Sequence, residues 1–224
     1  MNSDGARVFL VLPTSRPSYR ESGKHSIEWY ARRALRMANA LSPASGVDVF
    51  LYGNRSSGPP EPGGTAVRTR VDRSSLDEWA GDWAVAPNAG RGVLEDRRPA
   101  SRLERVLAVG DASFSRPRTA LRQVVSALAE TTVPTLVIFR LDSPIDQEEI
   151  LLAIRDTGAD RSAFWQVFGW SHAIDGLFWT RGGLHRGRVL PNVRADTGGD
   201  WSHRSLLRRF SQWSRTVESG KGRP

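Results

Sequence analysis

Short apolar runs alternate along this chain with longer stretches in which apolar residues recur at helical spacing. Ala6 to Leu12 is almost continuously hydrophobic, as a strand covered on both faces of a sheet must be. His25 to Leu41 follows with Ile27, Tyr30, Ala31, Ala34, Leu35, Ala38 and Leu41 on one face, which predicts an amphipathic helix stopped by Ser42-Pro43. Val47 to Tyr52 reads as a second buried strand. Val133 to Arg140 is the clearest strand of the chain, and Ala163 to Phe168 and Val189 to Val193 are two more. Helices are expected from Pro117 to about Glu130, from Ile145 to Asp156 and from Ser205 to Val217; in the last, Leu206, Leu207, Phe210, Trp213 and Val217 form a core-facing stripe. This alternation predicts an α/β fold: a three-layer, doubly wound, mostly parallel sheet with helices on both faces, Rossmann-like in outline.

The pattern weakens in one region. Residues 54–66 are rich in Gly, Pro and Ser and read as a loop, followed by a short edge strand from Ala66 to Val71. Ser74 is the expected cap of a turn from Ser75 to Trp79, and periodicity fades between Gly81 and Arg98. Ser101 then opens a short helix to Val109, with Glu104 as capping-box partner. The expected organisation is one domain over residues 1–218 with an irregular insertion at about 55–100, and a disordered tail from Ser219 to Pro224.

Composition removes several function classes. The absence of cysteine excludes disulfides, thiolate zinc sites and cysteine nucleophiles, and fits a reducing interior. No apolar run approaches the roughly 20 residues of a membrane helix, and the Val8 to Leu12 run is too short for a secretory leader. A cytoplasmic bacterial protein without membrane contact is expected. The net charge of +8 is almost entirely arginine, since Lys24 and Lys221 are the only lysines. Genomic base composition produces such a bias without function. Because the arginines look scattered along the sequence, a nucleic-acid-binding role is an alternative rather than the first expectation.

Enzyme signatures are missing. His25, His172, His185 and His203 have no metal-ligand spacing, and Gly63-Gly64-Thr65 lacks the lysine of a phosphate loop. Asp146, Glu148 and Glu149 fall in one helix's first turn, where acids favour the dipole. No Gly-x-Ser-x-Gly nucleophile turn appears. Trp165 reads as core, while Trp170 and Trp179 flank a Gly/His-rich loop. The stretch that stands out is Leu12-Pro13-Thr14-Ser15-Arg16-Pro17, where the first strand runs into a Ser-containing turn at the position of a ligand loop.

Three passages carry a family likeness. They are Ser15 to Gly23 with the following helix and Val47 to Gly53; Thr135 to Asp146; and Phe164 to Gly169 with Gly187 to Asn192 and the Leu/Trp helix. Their order resembles a von Willebrand factor A domain of the bacterial tellurite-resistance-associated, TerF C-terminal type. The likeness spans most of the chain outside about residues 55–110.

The resemblance implies a metal-ion-dependent adhesion site: an Asp-x-Ser-x-Ser loop after the first strand, a Thr in a second loop and an Asp in a third, together holding Mg²⁺. Here the first Asp falls on Pro13, with the two serines on Ser15 and Pro17, or, aligned without a gap on Tyr19 and Gly23, on Val11; the Thr falls on Ser115, and only Asp142 keeps its carboxylate. The expectation is therefore a degenerate site without metal. In that case the chain is a non-enzymatic protein-interaction module, binding through Ser15, Arg16, Ser115, Arg116, Arg118 and Asp142. The resemblance also implies partners in bacterial stress-response or conflict systems, such as an AAA+ ATPase or a TerD-like protein. Asp111-Ala112-Ser113-Phe114-Ser115 keeps an alternative open, because it is itself an Asp-x-Ser-x-Ser string. In that alternative Mg²⁺ is held by Ser15, Asp111, Ser115 and Asp142.

Overall fold

The computed structural model describes residues 5–14, 26–42, 46–54, 64–83, 102–107, 116–141, 150–152, 154, 163–169, 193–197 and 203–220. Strand β1 (Arg7–Pro13) can be apolar at every central position because it is sandwiched between layers on both faces of the sheet. Successive side chains leave a strand on opposite faces. Val8, Leu10 and Leu12 enter one core, and Phe9 and Val11 enter the other.

The first core is closed by helix α1 (Ile27–Leu41), by α2 (Leu76–Trp83) through Trp79 and Trp83, by Leu103 and Leu107, and by α5 (His203–Gly220) through Leu206, Phe210, Trp213 and Val217. The second is closed by α4 (Arg118–Ala129) and by the helical residues Ile150, Leu151 and Ile154. A short helix, α3 (Arg102–Val106), lies between α2 and α4 in the chain. Each fully buried Val, Leu or Phe contributes roughly 1.5–3 kcal/mol, so these two layers hold the sheet.

β2 (Val47–Gly53), β3 (Thr65–Val71), β4 (Thr135–Leu141), β5 (Ala163–Gly169) and β6 (Val193–Thr197) complete a six-stranded sheet of order β3-β2-β1-β4-β5-β6. All neighbours are parallel except β2 and β3. The expected α/β architecture, mostly parallel with helices on both faces, is therefore observed.

Local differences from the sequence expectation have physical reasons. Ser26 caps α1 by accepting the Trp29 N–H at 3.1 Å, so the helix starts at Ile27 rather than His25. The cap before α2 is Asp72, not Ser74. One Asp72 carboxylate oxygen accepts both the N–H and the hydroxyl of Ser74 and of Ser75, at 2.6–3.1 Å, which a hydroxyl could not match.

β4 begins at Thr135 because Pro134 has no N–H for the ladder, although its carbonyl accepts from the Arg7 N–H at 3.1 Å. β6 occupies Val193–Thr197 and starts where the expected strand ends; residues 189–192 lie outside the described ones. As an edge strand paired only to β5, it can carry Arg194 and Asp196, which an apolar-run search passes over. Within the 55–100 stretch, Thr65–Val71 and Leu76–Trp83 are regular elements. α5 continues through Ser219 and Gly220, which the sequence placed in the tail.

Candidate functional site

The strand order reverses direction at β1. The chain moves outward from β1 to β2 and β3, then returns to place β4 on the other side of β1. In open α/β sheets the crevice outside the carboxyl ends of two such strands is where ligands and partners bind. Here that crevice lies between the end of β1, at Pro13 and Thr14, and the end of β4, at Arg140 and Leu141.

Pro13 shapes the crevice by what it lacks. In the β1–β4 ladder the Arg7 N–H donates to the carbonyl of Pro134, and the register continues to Val11 opposite Phe139. Continued by twos, position 13 would donate to the carbonyl of Arg140, but proline has no N–H. Tyr52 of β2 supplies the missing donor: its hydroxyl reaches past the end of β1 and donates to the Arg140 carbonyl at 2.7 Å. Its ring stacks on Phe139, with centroids 6.0 Å apart and planes at 15°. The strands can part at their ends without leaving a buried carbonyl unsatisfied.

Thr14 is equally committed. It is fully buried, and both its N–H and its hydroxyl donate to the carbonyl of Tyr52, at 2.8 and 3.2 Å. Pro13, where the resemblance places the metal-binding carboxylate, is buried and offers no side-chain oxygen. Pro13 thus supplies no metal ligand, and the Thr14 hydroxyl is turned inward. Among the described residues there is no group of three His, Asp or Glu side chains that could hold a metal ion.

The opposite wall carries a buried cation. Arg140 is 5% exposed, and its guanidinium donates to the Tyr30 hydroxyl at 3.0 Å, with the Tyr30 ring 5.1 Å away. Tyr30 stands in the first turn of α1 and packs on Phe168 of β5. A strand arginine, a helix tyrosine and a neighbouring-strand aromatic thus form one rigid wall.

The start of α4 forms the flank of the same edge. Gly64, at φ +72°, leads into β3, and a Cβ there would lie 2.4 Å from the carbonyl oxygen of Arg116. Only glycine allows this approach. The Thr119 hydroxyl donates to the Gly64 carbonyl at 2.7 Å, and the Gln123 amide to the Ala66 carbonyl at 3.3 Å. These contacts fix the helix start, where Arg116 and Arg118 are both exposed. The first turn of α4 has no acidic residue, and Pro117 at the cap position gives no side-chain cap.

Of the residues expected at the site, Arg116 and Arg118 are thus brought to the carboxyl edge. Ser15, Arg16, Asp111, Ser115 and Asp142 lie outside the described residues, as do Trp170 and Trp179. Trp165 is fully buried core, as expected. The chain matches no family model and no curated relative. Inference therefore rests on its own residues.

Sequence reasoning missed Tyr52, Tyr30 and Arg140. The signal for Arg140 was present: a charged residue closing an otherwise apolar strand is expensive to bury without partners. The part played by Tyr52 needed the register of β1 against β4.

Proposed function

We propose that this chain is a non-enzymatic protein-interaction module of the von Willebrand factor A type. It captures an acidic partner surface through Arg16, Arg116 and Arg118 by direct guanidinium–carboxylate pairing, without a bridging metal. The single observation that carries this reading is the start of α4, where two exposed arginines flank a helix amino terminus whose first turn has no acidic residue, at the switch-point edge. A helix amino terminus is already positive, so cations there oppose the dipole by about 0.3–1 kcal/mol each. The helix dipole alone does not favour them in that place. Their field adds to that of the helix end, and guanidinium geometry suits paired carboxylates.

The loss of side-chain oxygen at Pro13 and the inward commitment of Thr14 support the metal-free form. The strand order, with its crevice between β1 and β4, supports the family resemblance at the level of architecture. A partner from a bacterial stress-response or conflict system, such as an AAA+ ATPase or a TerD-like protein, is the class this reading points to.

A photo-crosslinker at Arg122, one turn along α4, tests the reading in extract of the native host. Crosslinks to an acidic protein that survive EDTA and disappear in Arg116→Glu/Arg118→Glu support it. Crosslinks that require Mg²⁺, or that form chiefly with nucleic acid, refute it.

A further inference from the structure

At the amino edge of the sheet, on the side opposite the proposed partner face, one buried carboxylate is surrounded by three arginines. Asp48 of β2 is 5% exposed. Its Oδ2 is 2.9 Å from Arg7 Nη2 of β1, and its Oδ1 accepts from Arg68 of β3 at 3.1 and 3.3 Å. Those two guanidiniums already tie three adjacent strands and satisfy the carboxylate. A third, Arg70, directly opposite Asp48 in the β2–β3 register, stands at 3.8 Å, too far for a hydrogen bond. The other acid nearby is Glu130, whose Oε2 lies 4.0 Å from Arg68.

Three features make this more than a surplus of charge. Arg7 lies over the Phe9 ring at 5.2 Å and Arg68 over Phe50 at 5.5 Å, and these two rings pack together. Both guanidiniums thus sit beside an aromatic pair as well as on Asp48. Arg70 folds back instead of extending outward as a guard of the sheet edge would. It crosses Gly46, where a Cβ would lie 3.2 Å from Arg70 Nε and 2.8 Å from the Val71 carbonyl. The side chains of Arg7, Arg68 and Arg70 are 29%, 37% and 58% exposed, so the cluster opens to solvent.

We infer that Arg7, Arg68 and Arg70 form an anion site for a phosphate group at the amino edge, with Asp48 as the internal strut that orients them. Guanidinium N–H groups pair well with phosphate oxygens, and a tetrahedral dianion can take donors from several directions at once. Three guanidiniums here face the carboxylates of Asp48 and Glu130, which leaves positive charge for an incoming anion to neutralise. The phosphate can come as a free small anion or from a nucleic-acid backbone.

The test is titration of the whole chain with pyrophosphate, followed through the arginine Nε–H resonances. Saturable shifts confined to Arg7, Arg68 and Arg70 are expected, with affinity weakened about tenfold or more in Arg70→Gln, a change of about 1.4 kcal/mol. Arg70→Gln leaves Asp48 with both of its short partners, so the fold persists. Arg116→Glu/Arg118→Glu should leave binding unchanged, which separates this site from the partner face. A short single-stranded oligonucleotide that competes with pyrophosphate identifies the backbone source, and failure to compete identifies a small free phosphate. Non-saturable shifts, shifts unaffected by Arg70→Gln, or equal response to an oligoglutamate peptide would overturn the assignment.

Discussion

The Tyr52 hydroxyl donates to the carbonyl of Arg140 at 2.7 Å, taking the place of the N–H that Pro13 cannot offer. The two strands flanking β1 are thereby joined past its end, and the crevice at the switch point has a braced rim. Pro13 removes a ladder bond, and Tyr52 compensates for that loss.

That substitution of one donor for another is measurable. Tyr52→Phe should leave the Arg140 carbonyl unsatisfied and cost about 1–3 kcal/mol in urea unfolding. In a Pro13→Ala background the backbone N–H returns, so the same Tyr52→Phe change should cost less. A double-mutant cycle reads the coupling directly; additive effects would mean that Tyr52 does not stand in for position 13.

Gly64 offers a second check. Its positive φ and its 2.4 Å approach to the Arg116 carbonyl leave no room for a side chain. The left-handed conformation alone costs a non-glycine residue about 1–2 kcal/mol, and the clash adds to it. Gly64→Ala should lower stability by at least that amount in a thermal melt. It should also shift the amide resonances of Arg116 and Arg118, whereas Gly81→Ala, in open space within α2, should do neither.

The turn before α2 predicts a pH dependence. Hydrogen bonds from the Ser74 hydroxyl and the Ser75 backbone and hydroxyl lower the Asp72 carboxyl to about 2 from an ordinary 3.8. A carboxyl depressed in the folded state contributes stability that is fully present above its unfolded value. That contribution fades as pH falls from about 4 toward 2. Carboxyl-carbon NMR should show Asp72 titrating well below the ordinary 3.8. Asp72→Asn should flatten the acid limb of the stability curve in that window.

Much of the fold was legible because its signals are local. Buried parallel strands such as Val8 to Leu12 are apolar at every position, and α1 and α5 carry unbroken stripes. The strand at Val193–Thr197 was not expected beyond Val193 because its sequence has charged residues in it, which an apolar-run search passes over. The Asp72 cap was passed over in favour of Ser74 because the two lie in one turn and only geometry separates them. The site was harder. Arg116 and Arg118 were expected at the carboxyl edge from the loop order of the resemblance, but the Tyr52–Arg140 brace and the Arg140–Tyr30 pair join residues 88 and 110 positions apart. The arginines that look scattered along the chain converge at Asp48 because β1, β2 and β3 lie side by side. The available clue was an acid inside the apolar run Val47 to Tyr52.

Calorimetric titration of an oligoglutamate peptide into the whole chain, in EDTA and again in Mg²⁺, tests the metal-free partner face most directly. Binding of equal strength in both conditions, weakened at least about tenfold in Arg116→Glu/Arg118→Glu and unaffected by Asp142→Ala, is the predicted result. Binding that appears only with Mg²⁺ and is lost in Asp142→Ala would contradict it.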